Sequence, residues 1–343
     1  MTDWLLIILV VSGLLWFALT NPLLPIDRAS ELEPAYVDNL KKHVVALSET
    51  YSPRMAEFDN LRPSARYIKK QFDQYTKEAR YQHYVTRVGR VNNVVASFGP
   101  AESKEVIVIG AHYDAHQGMP GADGNASGVS GLIELARILA AYENLPLQVE
   151  LVAYALGEKP FYGTREMGSF YHANDLKVRH KKVELMISLD GIGYFTRDSD
   201  SQSYPYTFMK FFYPARGDFI KVTGRLQDMG LVRQVKRSFS KVDELPVRSL
   251  TAPEIFPSIG GVSDDQSYWQ HGYPAIRITD TGAARNPRYQ TDQDTAKTLD
   301  YEAMSRVVQG VGQVIVDMAN EMMPDSTMML AQKMPEVEKV LQK

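Results

Sequence analysis

The stretch VIVIGAHYDAHQGMPGADGNASGVSGLIELARIL, residues 106–139, places a strand, a polar loop and a helix in direct succession. Residues 106–110 are short, apolar and β-branched, which is typical of a strand buried on both faces of a sheet. Residues 125–141 repeat their apolar side chains at helical spacing, and Asn125 stands where a helix cap is expected. This order predicts an α/β protein with polar residues at the carboxyl end of the sheet.

The same alternation continues on both sides of this stretch. It predicts a mostly parallel sheet with helices on both faces. The expected strands are 93–98, 106–110, 149–156, 185–189 and 275–279, and the expected helices lie around 44–47, 65–72, 125–141, 165–174 and 298–318.

Four ionisable side chains follow strands of this predicted sheet: His112, Asp123, Glu158 and Asp190. Each of them alone would be an ordinary polar or turn residue. Together they fall at one edge of one sheet, where ligands bind in such folds. The four residues therefore predict a metal site held by histidine and carboxylates.

Composition supports this interpretation and excludes others. The 343 residues contain no cysteine and seven histidines, so thiolate zinc sites, disulfide scaffolds and cysteine nucleophiles are excluded. The formal net charge of −3 leaves no basic excess for a phosphate backbone, and we expect no nucleic-acid partner.

Several segments, in uninterrupted order over residues 44–316, resemble the double-zinc aminopeptidase type of metallopeptidase family 28. That family includes bacterial leucyl aminopeptidases and relatives of glutamate carboxypeptidase II. The resemblance implies a three-layer fold with a central mixed, mainly parallel eight-stranded sheet between helices, and a peptide substrate. The segments are GAHYDAH (110–116), PGADGNASGVSGLIELARIL (120–139), EKPFYGTREMGS (158–169), SLDGIGYF (188–195), SDDQSYWQHGYPAIRITDT (263–281) and RNPRYQTDQDTAKTLDYE (285–302).

The resemblance also implies roles for individual residues. Asp114 would orient His112, as a carboxylate does for a zinc-bound imidazole. The chemistry would be the attack of a metal-activated water on a peptide carbonyl, with a glutamate as the base. The implied zinc ligands are His112, Asp123 and Asp190 for one ion, with Asp123 shared, and Glu158 and the residue at the position of Gln290 for the other.

Three positions depart from the family pattern. Gly157 stands where the family has the general base, and glycine has no side chain that could move a proton. Gln290 stands where the family has a histidine ligand, and a neutral amide is a weak zinc ligand beside an imidazole. Asp265 replaces the histidine of a Ser-Asp-His motif. The remaining histidines offer no replacement ligand in sequence: His271 is expected at a helix end and His116 in a pocket-lining loop.

Two interpretations follow. In the first, His112, Asp123 and Asp190 hold one zinc, a second being a further option, and Glu158 serves as a substitute base for aminopeptidase activity. In the second, the site has lost catalysis and the chain is a binding or assembly domain on a peptidase scaffold, because fold does not fix function.

The two ends and one internal segment complete the predicted organisation. Residues 1–24 include a long uncharged apolar run, which predicts a single transmembrane anchor, with a cleaved signal peptide as the alternative. The peptidase-like domain is expected over 35–320, on the extracytoplasmic side of the membrane, with a loose tail at 321–343. Residues 201–260 are aromatic and then basic, which favours core packing followed by a solvated helix, with a wall of the substrate pocket as the alternative.

Overall fold

The structure is a computed structural model that describes residues 2–23, 29–30, 32–55, 61–142, 144–253 and 263–323. The helices of these parts are α1 Thr2–Thr20, α2 Val37–Val45, α3 Leu61–Phe72, α4 Ser127–Leu139, α5 Gly168–Val178, α6 Met229–Phe239, α7 Asp264–Gln270 and α8 Tyr301–Glu321. The strands are β1 Ala79–Thr86, β2 Gly89–Phe98, β3 Glu105–His112, β4 Gln148–Tyr154, β5 Lys182–Leu189, β6 Ile220–Arg225, β7 Val247–Ala252 and β8 Ala275–Thr279.

The eight strands form one mixed sheet in the order β1-β2-β4-β3-β5-β8-β6-β7. The central neighbours β4, β3, β5 and β8 run parallel to one another, and β6 pairs with β7 in parallel. The β1–β2, β2–β4 and β6–β8 pairs are antiparallel. The predicted three-layer α/β fold with a mixed sheet is therefore confirmed.

Alternate side chains of β3 pack on opposite layers, because successive residues of a strand point to opposite faces. Ile107 and Ile109 join the core on the side of α4, while Val106 and Val108 join the core on the side of α5 and α7. Both faces of β3 are therefore buried, which explains the near-continuous apolar sequence of this strand.

The cap of α4 differs from the prediction in detail. The helix begins at Ser127, and the side chain of Asn125 lies just before it. Its Oδ1 accepts hydrogen bonds from the backbone N–H of Gly128 (3.2 Å) and of Gly191 (3.1 Å), and its Nδ2 donates to Leu189 O (2.8 Å). Asn125 thus joins the start of α4 to the end of β5 and fixes the relative position of two loops at the sheet edge.

The N-terminal helix α1 is attached to the domain at its carboxyl end. The backbone oxygen of Thr20 accepts hydrogen bonds from Ser249 Oγ (2.7 Å) and Lys236 Nζ (2.8 Å), and Leu19 O accepts one from Tyr213 (3.2 Å). Within the described part of the chain, no helix is both long and apolar enough to cross a membrane. The predicted transmembrane helix therefore has no support from the structure.

One further prediction differs from the observed fold, and another is not tested by it. Residues 201–260 contain β6 and β7 in addition to the expected basic helix, which is α6. Polar residues interrupt both strands, at alternate positions in β6 and at 248, 249 and 251 in β7, so they lack the continuous apolar run by which the central strands were predicted. The predicted tail lies almost wholly outside the described residues, which end at position 323.

Candidate metal centre

The ends of β3, β4 and β5 bring three of the predicted residues to one place. His112 is the last residue of β3, Glu158 lies in the loop after β4, and Asp190 directly follows β5. His112 Nε2 lies 3.8 Å from an oxygen of Asp190, and all three residues line one cavity of about 210 Å³. This arrangement follows from the parallel pairing of the three strands.

Asp114 lies beneath the histidine. Its carboxylate oxygen is 3.4 Å from His112 Nδ1, and the two oxygens accept the backbone N–H groups of Gly157 (2.8 Å) and Glu158 (2.9 Å). Burial lowers the pKa of His112, but the carboxylates of Asp114 and Asp190 outweigh it and raise that pKa well above its usual value. Asp114 therefore orients the imidazole and also fixes the loop that carries Glu158.

Asp123 faces a different set of partners from the one expected of a shared zinc ligand. One oxygen accepts the N–H of Gly193 (3.2 Å) and the other accepts Asn286 Nδ2 (3.0 Å). Burial and the neighbouring charges of Asp280 and Asp294 raise the pKa of Asp123 well above its usual value. A side chain so engaged is not directed at His112 and Asp190.

The residue after Asp123 is Gly124, and its backbone lies against Tyr289, which lines the cavity. A Cβ on Gly124 would lie 2.9 Å from the ring of Tyr289, which lines the cavity together with His112 and Asp190. Position 124, next to this wall of the cavity, therefore has no carboxylate.

Gln290, predicted as a weak metal ligand, lies against Glu158. Its Nε2 donates to both carboxylate oxygens of Glu158, at 3.2 and 3.1 Å, and His116 Nδ1 lies 3.5 Å from one of them. Burial and the charge of Asp114 raise the pKa of Glu158, although nearby histidines and the amide oppose this. The amide therefore occupies the acceptor oxygens that a metal ion would need.

The guanidinium of Arg277 lies beside Asp190. Arg277 on β8 has its Nη1 3.4 Å from an oxygen of Asp190, and its side chain is almost fully buried. Burial alone would raise the pKa of Asp190, but the neighbouring imidazole of His112 and the charge of Arg277 hold it below its usual range. Asp265, predicted as a departed family position, is buried nearby and accepts the N–H of Ser263 at 2.6 Å. Asp264 is also buried here, and burial raises its pKa to about 7.

Gly157 packs directly against the side chain of His112. A Cβ at this position would lie 2.4 Å from His112 Cβ and 2.5 Å from His112 Cγ, closer than carbon atoms approach in proteins. The imidazole of His112 fills the space beside this backbone. A glutamate could be accommodated at position 157 only if the histidine moved.

The residues present do not fit a pair of zinc ions. A catalytic zinc takes three protein ligands and an open position, and a pair needs a shared carboxylate as well. Across the described ranges, no three histidine, aspartate or glutamate side chains gather closely enough to hold a metal ion. Asp123 is directed elsewhere, Gln290 engages Glu158, and Arg277 already neutralises Asp190.

One residue that supports the site was missed in the sequence. Arg54 is completely buried, and its guanidinium donates four hydrogen bonds to backbone oxygens. They are those of Leu47 (2.6 Å), Tyr113 (2.8 Å), Pro120 (2.8 Å) and Gly121 (2.8 Å). Arg54 therefore holds both ends of the 113–121 loop. The only signal for this role in the sequence is that Arg54 lies outside any amphipathic pattern.

A mixed sheet between two layers of helices, with a histidine and two carboxylates around one cavity at the carboxyl ends of its strands, is the architecture of the zinc-peptidase-like fold class. The sequence profile of Peptidase family M28 matches residues 93–315. The chain belongs to this family, and the predicted family resemblance is confirmed.

Three proteins show the extent of the likeness. YfbL of Escherichia coli is 45% identical over 284 residues, which cover 80% of this chain and 86% of YfbL. A protein of Leptosphaeria maculans, described as a probable zinc metalloprotease, is 30% identical over 56% of this chain and 47% of its own length. The LapA aminopeptidase of Legionella pneumophila shares the fold with a TM-score of 0.68 and 21% identity, over 84% of this chain and 72% of LapA.

Proposed function

We propose that this member of a zinc hydrolase family binds the amino end of a peptide in the inherited cleft without hydrolysing it. The observation that carries the proposal is the contact of Gln290 with both oxygens of Glu158. In this proposal the contact takes the place of the metal–ligand interaction that the family resemblance implies at position 290, and the cavity beside it receives the ligand. Glu158 lines that cavity, and each of its oxygens accepts one hydrogen bond from Gln290 and has a second lone pair, to which an α-amino group would donate.

The second candidate is an aminopeptidase with one zinc. The 3.8 Å between His112 Nε2 and Asp190 Oδ1 favours it, because two ligands of one zinc ion come about as close as this. In that case His112 and Asp190 would be the first two ligands, and Glu158, whose pKa is raised, would be available as a base.

Metal content and hydrolysis separate the two candidates. The full chain, purified after growth with added zinc, is analysed by native mass spectrometry and assayed on leucyl-p-nitroanilide. We expect less than one zinc per chain and no hydrolysis above that of the Glu158→Gln variant, which controls for contaminating peptidases. One tightly bound zinc together with hydrolysis lost in Glu158→Gln would overturn the proposal in favour of the one-zinc enzyme.

Binding is tested separately from catalysis. We expect alanyl-alanine amide to raise the midpoint of thermal unfolding, and its N-acetylated form to have no effect, because acetylation removes the amine charge. Equal effects of both peptides, or none from either, would contradict recognition of the amino end.

We also propose that the domain is held at a membrane, on its extracytoplasmic side, through α1. The supporting observation is that apolar side chains of this helix are exposed, among them Leu6 (63%) and Leu14 (65%). Fractionation of cells that express the full chain tests this. Recovery in the membrane pellet after alkaline wash is expected, and recovery in the supernatant would contradict attachment. Cleavage of the domain by protease added to intact spheroplasts would support the extracytoplasmic placement.

A further inference from the structure

A second cavity, of about 270 Å³, adjoins the cleft of the candidate metal centre. Asp190 and Tyr289 line both cavities, so the two spaces share a wall. The second cavity lies over β6, β7 and β8, where Lys221 and Leu250 face it. The two cavities therefore lie next to each other, on either side of Asp190 and Tyr289.

One side of this cavity is aromatic and apolar. The residues that form it belong to the segment 201–220, for which sequence analysis left a pocket wall as the alternative to core packing. They are Tyr204, Met209, Tyr213 and Phe219. Such a wall accommodates the carbon chain of a ligand side chain.

The opposite side is positively charged. Lys221 on β6 pairs in register with Thr279 on β8, and Arg277 lies two residues before Thr279, on the same face of the sheet. Lys221 and Arg277 both line the cavity, with Asp190 as the carboxylate among the described lining residues. Because Asp190 is paired with Arg277, no other carboxylate among the described lining residues balances the charge of Lys221.

Lys221 is partly buried, and its Nζ forms neither a hydrogen bond nor an ion pair with any residue in the described ranges. Burial, together with the charges of Arg277 and Arg285, lowers the pKa of Lys221 to about 7. A desolvated ammonium without a counter-ion is costly, and an anionic ligand would relieve that cost.

We propose that this cavity binds the acidic side chain of a peptide, with the ligand carboxylate on Lys221 and its methylene groups against the aromatic wall. The proposal rests on the proposed peptide-binding function and adds the class of peptide: one whose amino-terminal residue is glutamate or aspartate.

Isothermal titration calorimetry with three C-terminally amidated dipeptides tests the proposal. Glutamyl-alanine, glutaminyl-alanine and leucyl-alanine amides differ in the charge and shape of the first side chain, and the amide removes the terminal carboxylate. We expect the glutamyl peptide to bind about 10- to 100-fold more tightly than the glutaminyl peptide, as a charge-assisted hydrogen bond would provide. The Lys221→Met variant should lose this difference, and the exposed Lys210→Met variant should retain it.

The outcomes distinguish the two proposals. Equal binding of the glutamyl and glutaminyl peptides would overturn the acidic pocket and leave peptide binding intact. If no peptide binds, the proposed function fails, and glutarate becomes the probe of the pocket. Glutarate that stabilises the wild type but not Lys221→Met against thermal unfolding supports the pocket, and glutarate that acts on neither or on both overturns it.

Loss of the fold is controlled by the unfolding curve of the variant. Because methionine removes an unpaired buried charge, Lys221→Met should unfold at the same or a higher urea concentration than the wild type.

Discussion

The amide of Gln290 donates hydrogen bonds to both carboxylate oxygens of Glu158, at 3.2 and 3.1 Å. Glu158 is buried and Gln290 is exposed, so the pair joins the inner part of the cavity wall to its solvent-facing edge. The family resemblance implies a metal ligand at position 290, and in the structure the side chain at this position contacts another protein group.

The first prediction concerns this pair. Gln290→His should raise the affinity for zinc by at least about tenfold, because imidazole is a far better zinc ligand than an amide and lies beside Glu158. Competition with a fluorescent chelator measures the change. Gln290→Leu, which also frees Glu158 but adds no ligand, is the matched control, and an equal gain in both variants would contradict the assignment.

A second prediction follows from the contact of Gly157 with His112. Gly157→Ala should destabilise the fold by about 1–3 kcal/mol, because the new methyl group would overlap the histidine and force it to move. Urea unfolding followed by circular dichroism measures this. The matched control is Gly230→Ala in α6, where a Cβ meets no atom within 4 Å and where alanine should be neutral or slightly stabilising. Similar effects at both positions would show that the histidine is free to give way.

Arg54 provides a third prediction. Arg54→Met should lower the free energy of unfolding by about 3–5 kcal/mol, because it leaves four backbone oxygens without their donor in a buried region. Chemical denaturation measures the loss, and the exposed Arg66→Met variant serves as control. A change below about 1 kcal/mol would indicate that water replaces the guanidinium and that Arg54 does not hold the loop.

The fourth prediction is a pH dependence of stability at Glu150. Burial would raise the pKa of this carboxyl, but His172, Arg179 and Arg80 outweigh burial and lower it to about 2. His172 Nε2 lies 3.0 Å from one Glu150 oxygen. A depressed pKa stabilises the fold above the unfolded value near 4.5, and this stabilisation is lost as the pH falls toward 2.

Glu150→Gln should therefore cost about 3 kcal/mol near pH 7, and the difference from the wild type should shrink below pH 4.5. Unfolding curves between pH 3 and pH 7 measure it, with the exposed Glu102→Gln as control. A difference that stays constant over this range would contradict the depressed pKa.

The sequence predicted the parts of the fold that physical patterns define locally. Residues 275–279 were predicted as a strand and form β8, because a short β-branched run has few other favourable structures. β6 and β7 were missed because polar residues such as Lys221, Thr223 and Ser249 interrupt their apolar pattern. Those polar residues face a cavity or a neighbouring helix, and only the tertiary structure shows why they are tolerated.

The site was predictable in its location but less so in its detail. His112, Glu158 and Asp190 lie together because each follows a parallel strand, which is a topological rule. The orientation of Asp123 depends on Asn286, more than 160 residues away in the chain, and no local pattern encodes that contact. The approach of Arg277 to Asp190 depends in the same way on the pairing of β5 with β8.

The ion pair between Arg277 and Asp190 has a consequence for how the chain matures. A metallohydrolase completes its active centre only after it has acquired an ion from its surroundings, and its supply of active molecules follows the supply of that ion. Here the positive charge beside Asp190 belongs to Arg277, so it is present as soon as the chain has been synthesised. Under the proposed peptide-binding function, the cleft is therefore complete once the chain has folded and does not depend on the supply of zinc.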